Sequence, residues 1–434
     1  MDQNIRQSAW DRNGVIRSIL EAVRIPKMAR VRQVFEGSSV PDIPAAIDWE
    51  FARPGIGERV RPGMSVAITV GSRGLANLAE VVKAVVDNVR RRGGAPFIFP
   101  AMGSHGGATA EGQRAILESF GVTERFVGAP IRSSMETRVI GHTSRGQDVH
   151  IDRMAADADG IIVLNRVKPH TGFRGDYESG LMKMMAIGMG KQKGAEICHA
   201  DGFPRMAENI PLFGRVILEQ AKVLFGIAIL ENAFDRTYRI EALPKADIEK
   251  REPGLLLEAK SRMPSILIPR FDVLIVDQIG KNFSGSGADP NITGTFSSPS
   301  LRRGPEFQRY VILDLSTETH GSAVGIGMAD FTTKRLFDKT DFDATYPNSL
   351  TYRGPGTVKM PMVLGSDRLA IQAAIFTCID IAPDAVRIVR IPNTSHIDII
   401  SVSETILPEL KNNQRVELLE PPSALPFDIE GNIL

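Results

Sequence analysis

The stretch Met64–Phe120, MSVAITVGSRGLANLAEVVKAVVDNVRRRGGAPFIFPAMGSHGGATAEGQRAILESF, decides the fold. It begins with a buried-strand pattern over Met64 to Val70, and apolar residues at helical spacing follow. A second strand over Ala95 to Ala101 precedes a second helix over Thr109 to Phe120, with Thr109 as its N-cap. This strand–helix–strand–helix order predicts parallel strands joined by right-handed crossovers.

Further strands and helices extend the same pattern along the chain. A strand is predicted over Gly160 to Leu164, and Lys245 to Ser261 is helical in pattern with Pro253 as an expected break. Beyond Pro264–Pro269, four strands and one helix are predicted, over 271–276, 310–315, 324–328, 386–391 and 367–378 respectively. The final stretch, EPPSALPFDIEGNIL, is typical of an extended arm.

The chain of 434 residues exceeds one ordinary domain, so we expect two. The prediction is an α/β protein with a larger N-terminal domain, residues 1–265, that contains a mostly parallel sheet. A smaller C-terminal α/β domain, residues 266–434, would close a cleft that holds the active site.

Composition excludes several classes of protein. The net charge of +1 gives no global field for nucleic acid or an acidic membrane. Two cysteines, Cys198 and Cys378, exclude a disulfide framework and fit a reducing compartment. The polar N-terminus lacks a signal region, and no run approaches the ~20 apolar residues of a membrane helix. We therefore expect a cytoplasmic enzyme with a small-molecule substrate, and its oligomeric state stays open.

Polar groups follow three of the predicted parallel strands. Arg73, His105 and His170 each come just after a strand end. Open α/β sheets bind ligands at that edge, so these groups are expected to converge. His105 could cap the following helix or exchange protons near neutral pH, and His170 could be a surface loop residue or an acid/base group.

The densest candidate segment is Asn165–Gly202, which places Lys183 between His170 and His199. Methionines flank Lys183, so its side chain could extend to solvent or be held in an apolar pocket that makes the amine nucleophilic. His199, even together with Cys198, supplies too few ligands to hold a metal, so other groups would have to complete the coordination.

Gly103-Ser104-His105, Pro169-His170, Gly172-Phe173, Lys183 and His199 together resemble the nickel-pincer-nucleotide lactate racemase family. The resemblance covers much of the N-terminal domain and is most specific in the order His, His, Lys, His. In the C-terminal domain it rests on Gln278 and Lys281, which follow the strand 271–276.

The resemblance implies a racemase or epimerase of a 2-hydroxy acid that works by hydride abstraction and return. It implies that Lys183 holds the cofactor covalently and that His199 binds its nickel, with His105 and His170 as paired acid/base groups. Arg73 would bind an anion, and Ser72, Lys168, Gln278 and Lys281 would also bind the cofactor. Cofactor maturation enzymes are then expected partners.

Three departures from the family pattern put lactate itself in doubt as the substrate. Val70, Gly71 and Ser72 stand before Arg73 without the family's acidic residue, and Met182 stands where the family has arginine. The loop from His170 to Lys183 is longer and adds Asp176 and Glu178. Two alternatives remain: cofactor-free histidine chemistry on a hydroxy acid (dehydration or proton-transfer epimerisation), and a non-catalytic binder of a nucleotide or sugar acid.

Overall fold

A computed structural model describes residues 14–72, 74–298, 301, 303–351 and 354–434, with only the backbone of residues 203, 348, 351 and 383. The chain forms two compact units. The central unit comprises residues 36–263, and the terminal unit comprises the residues up to Phe35 together with 264–434.

The strands of both units are numbered in chain order. They are β1 Met28–Gln33, β2 Ser65–Val70, β3 Ala95–Pro100, β4 Thr137–His142, β5 Asp148–Asp152, β6 Gly160–Arg166, β7 Val223–Glu231, β8 Thr237–Pro244, β9 Val273–Ile279, β10 Arg309–Leu315, β11 Phe331–Thr333, β12 Met362–Leu364, β13 Ile388–Ile391, β14 Ile399–Ser403 and β15 Val416–Ser423.

The α-helices are numbered in the same way. They are α1 Val15–Leu20, α2 Ile43–Ala52, α3 Leu78–Arg91, α4 Ala110–Ser119, α5 Glu124–Val127, α6 Arg153–Asp157, α7 Leu181–Lys183, α8 Lys191–His199, α9 Met206–Gln220, α10 Ile248–Arg262, α11 Pro290–Thr293, α12 Lys334–Lys339, α13 Phe342–Thr351, α14 Asp367–Phe376 and α15 Leu407–Leu410. A π-helical turn, Met184–Gly188, follows α7 directly.

The central unit is built on a five-stranded sheet in the order β3-β2-β6-β7-β8. The first four strands are parallel, and β8 pairs with β7 as an antiparallel edge. The predicted parallel arrangement is confirmed, and Thr109 caps α4 by accepting a hydrogen bond from the Gly112 N–H.

Alternate residues of each strand enter two different hydrophobic cores of the central unit. In β2, Val66 and Ile68 pack with α2 and α3, whereas Ala67 packs with α9 and α10. Because side chains alternate across a strand, the sheet is covered on both faces. The unit is a three-layer α/β structure, so its strand-end loops remain at one edge of the sheet.

The terminal unit has a mixed sheet of eight strands in the order β12-β11-β10-β9-β13-β14-β1-β15. The five strands from β12 to β13 are parallel, and the last three join by antiparallel pairing. Its sheet has more strands than the sheet of the central unit.

Two differences from the expected domain plan explain that sheet. The strand β1, which was assigned to the N-terminal domain, pairs with β14 and β15 of the terminal unit. Arg30 and Arg32 form ion pairs across to Glu420 and Glu417, and these exposed charges hide the strand pattern in the sequence. The strand β15 also includes the first residues of the segment that we expected to be an extended arm.

Two local predictions were also wrong. The 324–328 segment forms a single helical turn, and the strand of that region is β11. Pro253 does not break its helix, which runs from Ile248 to Arg262. Proline cannot donate to the carbonyl four residues earlier, but that carbonyl, of Glu249, accepts a hydrogen bond of 2.8 Å from the Tyr177 hydroxyl.

Candidate active site

The loops after β2 and β3 both pack on the turn that follows Lys183. The N–H of Gly103, in the loop after β3, donates to the Gly188 carbonyl at 3.2 Å. A Cβ placed on Gly71, just after β2, would lie 3.1 Å from the Met184 Cε atom. The strand ends therefore meet the lysine segment, as expected for the carboxyl edge of a parallel sheet.

The lysine segment is held at its start by a buried carboxyl group. Glu252 of α10 is 1% exposed and accepts a hydrogen bond of 2.9 Å from the Met182 N–H. Asn165, at the end of β6, donates to the Gly180 carbonyl at 2.8 Å. A Cβ on Gly180 would lie 2.1 Å from a Glu252 oxygen, so only glycine admits this carboxyl group.

Lys183 lies within electrostatic reach of three neighbouring side chains. After burial, its positive charge is a further cause of the lowered pKa of His170 and His199, and it partly opposes the rise that burial causes in the pKa of Cys198. Two buried methionines, Met182 and Met184, flank it, while Lys183 itself is half-buried. Lys183 is therefore close enough to both histidines for its charge to act on them.

The imidazole of His199 is oriented as a metal ligand would be. Its Nδ1 lies 2.7 Å from the Ala195 carbonyl oxygen, an acceptor, so Nδ1 carries the proton. The lone pair is then on Nε2, and a carbonyl partner on the other nitrogen is the usual support for a metal-binding histidine. Burial, before the charge of Lys183, lowers the pKa of His199 and keeps the ring neutral.

Cys198 is adjacent in sequence but chemically unsuited to bind a metal. It is fully buried, and burial raises the pKa of its thiol to about 12. The thiolate is the form that binds metal, so this thiol is not prepared as a ligand. No group of three or more His, Cys, Asp or Glu that could hold a metal lies in the part of the chain that the structure describes.

His105 presents its Nε2 lone pair in a solvent-exposed loop. Its Nδ1 lies 2.7 Å from the Met102 carbonyl oxygen and therefore carries the proton. In this tautomer Nε2 is an acceptor. The ring has the form required of a general base.

His170 has the opposite tautomer. Its Nδ1 accepts a hydrogen bond of 2.9 Å from the Gly172 N–H, so the neutral ring carries its proton on Nε2. Burial, followed by the charges of Lys183, His199, Lys168 and Arg174, lowers the pKa of His170 well below its ordinary 6.5. The ring thus stays neutral and presents an N–H donor.

The long loop that carries His170 is fixed by Glu178, which is fully buried. This carboxylate accepts hydrogen bonds from the His170 N–H at 2.7 Å, Lys260 at 2.6 Å and Arg174 at 3.3 Å. The added Glu178 is therefore an anchor for the loop, whereas the added Asp176 is exposed.

The structure brings several predicted residues together in the central unit. Ser72 directly follows Gly71 at the end of β2, and Lys168 pairs through its backbone with Ser179, which closes the His170 loop. Arg73 lies outside the described residues. Sequence reasoning missed Glu252 as a partner of the lysine segment, because an acidic residue in a charged helix pattern gives no sign of burial.

The two predicted residues of the C-terminal domain lie in the terminal unit. Gln278 is exposed on β9, and its N–H donates to the Pro392 carbonyl at 3.0 Å. The backbone N–H of Lys281 donates to the Thr319 hydroxyl at 3.2 Å. Both hydrogen bonds lie within the terminal unit.

The carboxyl group of Glu252 predicts a measurable pH dependence of stability. Burial raises its pKa from 4.5 to about 7, against the opposing hydrogen bonds from Met182 and Leu181. Between these values the folded chain binds a proton that the unfolded chain does not. The free energy of unfolding should therefore fall by about 3 kcal/mol as the pH rises through this window, and then level off.

Glu252→Gln, which keeps an oxygen for the Met182 N–H, should remove this component. Urea unfolding at pH 5 and pH 8 measures it, with Glu249→Gln on the same helix as the matched control. An identical pH dependence in wild type and Glu252→Gln would contradict the assignment.

The fold and these contacts define a class: an α/β protein in which the loops after two parallel strands pack on a lysine-bearing segment at the carboxyl edge of the sheet. Residues 27–206 match the family model described as the lactate racemase N-terminal domain. The resemblance to the lactate racemase family seen in the sequence is confirmed over these residues. Comparison with curated proteins gave no match.

Two solved structures are similar to the chain. One is the lactate racemase apoprotein from Thermoanaerobacterium thermosaccharolyticum, with 12% identity, a TM-score of 0.49, and 76% of this chain and 83% of that chain covered. The other is a protein from Thermotoga maritima, with 13% identity, a TM-score of 0.49, and 75% and 84% covered. Among the described residues, no helix is long and apolar enough to cross a membrane.

Proposed function

We propose that this protein is a racemase or epimerase of a 2-hydroxy acid that uses a nickel-pincer nucleotide. The observation that carries the proposal is the hydrogen bond from His199 Nδ1 to the Ala195 carbonyl, which leaves the Nε2 lone pair for a metal on the helix that follows the Lys183 segment. Racemase-type activity follows from the family, and the cofactor and substrate class are our inference.

The residues present fit this cofactor. A nickel ion whose other donors come from the cofactor needs a single protein ligand, which His199 can supply. Lys183 lies beside His199 and offers an amine for covalent attachment. When bound, the cofactor would supply an acceptor for the hydride of the substrate α-carbon.

The two remaining histidines divide the proton chemistry. His105, with its Nε2 lone pair, takes the proton of the substrate hydroxyl, while the Nε2–H of His170 donates a hydrogen bond to a substrate oxygen. At the end of the turnover His105 returns this proton to the same oxygen. For the opposite enantiomer the roles exchange: the hydrogen bond from the Gly172 N–H opens, the ring proton of His170 moves to Nδ1, and its Nε2 then takes the hydroxyl proton. The two rings thus serve the two faces of the substrate.

The charge around His170 favours an anionic substrate. Lys168, Lys183 and Arg174 all act on the pKa of this ring, and Arg174 is itself paired with Glu178. We assign Lys168, in the loop just after β6, to the anionic groups of the bound cofactor. Arg73 and Ser72 would bind the cofactor phosphate.

The experiment is production of the chain with the cofactor maturation enzymes, followed by intact-mass and nickel analysis. We expect a covalent mass increase with about one nickel per chain, and racemisation of at least one member of a panel of chiral 2-hydroxy acids. Holo protein that carries the mass and nickel but converts none of them would overturn the proposed activity.

Isotope transfer separates this reaction from cofactor-free histidine chemistry. Internal hydride return keeps the original hydrogen on the α-carbon, so turnover in D2O should leave substrate and product unlabelled at that carbon. Deuterium at the α-carbon would instead indicate proton transfer by His105 and His170 without the cofactor.

A further inference from the structure

A lysine that plays no part in the proposed chemistry is completely buried in the central unit. Lys191 and Asp152 are both 0% exposed, and Lys191 Nζ lies 3.1 Å from an Asp152 carboxylate oxygen. Buried charges of this kind are costly unless they are paired and hydrogen-bonded. We therefore asked which parts of the structure this buried ion pair holds in place.

The contacts of Lys191 lead directly to the His105 loop. Its Nζ donates to the Pro100 carbonyl at 2.5 Å, at the end of β3, and to the Gln113 Oε1 atom at 3.3 Å. The Nε2 of Gln113, which is also fully buried, donates to the carbonyls of Gly103 at 2.9 Å and His105 at 3.3 Å. The amide of Gln113 thus connects the buried lysine to the backbone of His105.

The other end of this connection is the helix that carries His199. Lys191 is the first residue of α8, which ends at His199. Its φ is 54°, in the left-handed region that a residue with a side chain seldom adopts. A residue keeps such a backbone conformation only where several surrounding contacts hold it in place. Residues of this kind are concentrated at functional sites. The buried contacts of Lys191 Nζ hold its backbone in this conformation.

We propose that Lys191, Asp152 and Gln113 form a positioning unit that sets His105 relative to the helix of His199. Lys191 fixes the start of that helix against the end of β3, and Gln113 transmits the position to the His105 loop. None of the three touches the reacting atoms. The assignment rests on the proposed function in that His105 and His199 are taken as the base and the metal ligand.

The first test uses the empty protein, so it does not depend on the cofactor. The chain contains 7 histidines, and ¹⁵N-labelled histidine with a His105→Asn reference spectrum identifies the His105 ring signals. We expect a fixed Nδ1–H tautomer in the wild type. Gln113→Met, which keeps the volume but removes both hydrogen-bonding groups, should give signals averaged over the two tautomers, with His199 unchanged.

The second test uses the loaded enzyme. Gln113→Met should lower kcat by about 10- to 100-fold with little change in KM, because a shift of the base misaligns it without removing substrate contacts. Lys191→Met alone leaves Asp152 unpaired and could fail to fold. The double variant Lys191→Met with Asp152→Asn removes both charges, while the amide oxygen introduced at position 152 can still accept from the Ala155 N–H. This double variant should reproduce the Gln113→Met effects.

Lys222→Met is the matched control, since Lys222 also donates to a carbonyl, that of Ala158 at 3.0 Å, near the start of β7. It should leave both the His105 signals and kcat unchanged. A folded Gln113→Met protein with a fixed His105 tautomer and wild-type kcat would overturn the positioning role. If the wild-type holo protein racemises no hydroxy acid, the proposed function fails, and the spectra of the empty protein still decide this proposal.

Discussion

Lys183→Arg should yield a folded protein that gains no mass in the presence of the maturation enzymes and racemises no hydroxy acid above background. Arginine keeps the positive charge beside His170 and His199 but has no primary amine for covalent attachment. Since a cofactor of this kind carries the hydride chemistry, its loss removes the activity completely and not by a modest factor.

Intact-mass analysis, nickel content and chiral product analysis measure this result together. Lys193→Arg is the matched control, because Lys193 is an exposed lysine on α8, between Lys183 and His199. It should acquire the same mass and nickel as the wild type. A Lys183→Arg protein with full racemase activity would refute both the attachment site and the assignment of the reaction.

The sequence predicted the frame of the central unit because its signals are local. Apolar spacing, the Thr109 cap and the alternation of strands with helices each depend on a few adjacent residues, and they led to the parallel sheet that the structure contains. The meeting of the strand-end loops with the lysine segment follows from that topology, since parallel strands present their carboxyl ends at one edge.

The features that the sequence did not predict are contacts between residues far apart along the chain. Glu252 accepts a hydrogen bond from the N–H of Met182, 70 residues away in the sequence. Lys191 donates one to the carbonyl of Pro100, 91 residues away. A buried Glu or Lys has the same sequence pattern as an exposed one, because burial is a property of the assembled core. The strand β1 was missed for a similar reason, since its alternating arginines are satisfied by β15.

His105→Asn and His170→Asn form a matched pair that tests the assignment of the two rings. In His105→Asn the side-chain amide can still donate to the Met102 carbonyl, and in His170→Asn the amide oxygen can still accept from the Gly172 N–H. Each substitution therefore preserves the local loop contact and removes the Nε2 atom to which the proposed proton chemistry is assigned.

The His105→Asn enzyme should lose about 10²- to 10⁴-fold in kcat, the usual contribution of a general base. The His170→Asn enzyme should lose about 10²- to 10³-fold, as expected when a hydrogen-bond donor to a developing negative charge is removed. Because the equilibrium constant of a racemisation is one, kcat/KM must fall by the same factor from either enantiomer in each variant. The losses in the double variant should be less than multiplicative, since the two rings act on one proton transfer.

Chiral chromatography of initial rates from each enantiomer checks both variants, with His142→Asn, an exposed histidine of β4, as the control. Nickel content and covalent mass should equal those of the wild type in all three proteins, which separates loss of proton transfer from loss of the cofactor. A His105→Asn enzyme that keeps more than about a tenth of wild-type kcat would exclude this ring as the base, because general base catalysis contributes at least ~10²-fold. The hydroxyl proton would then have to be taken by another group at the carboxyl edge of the sheet.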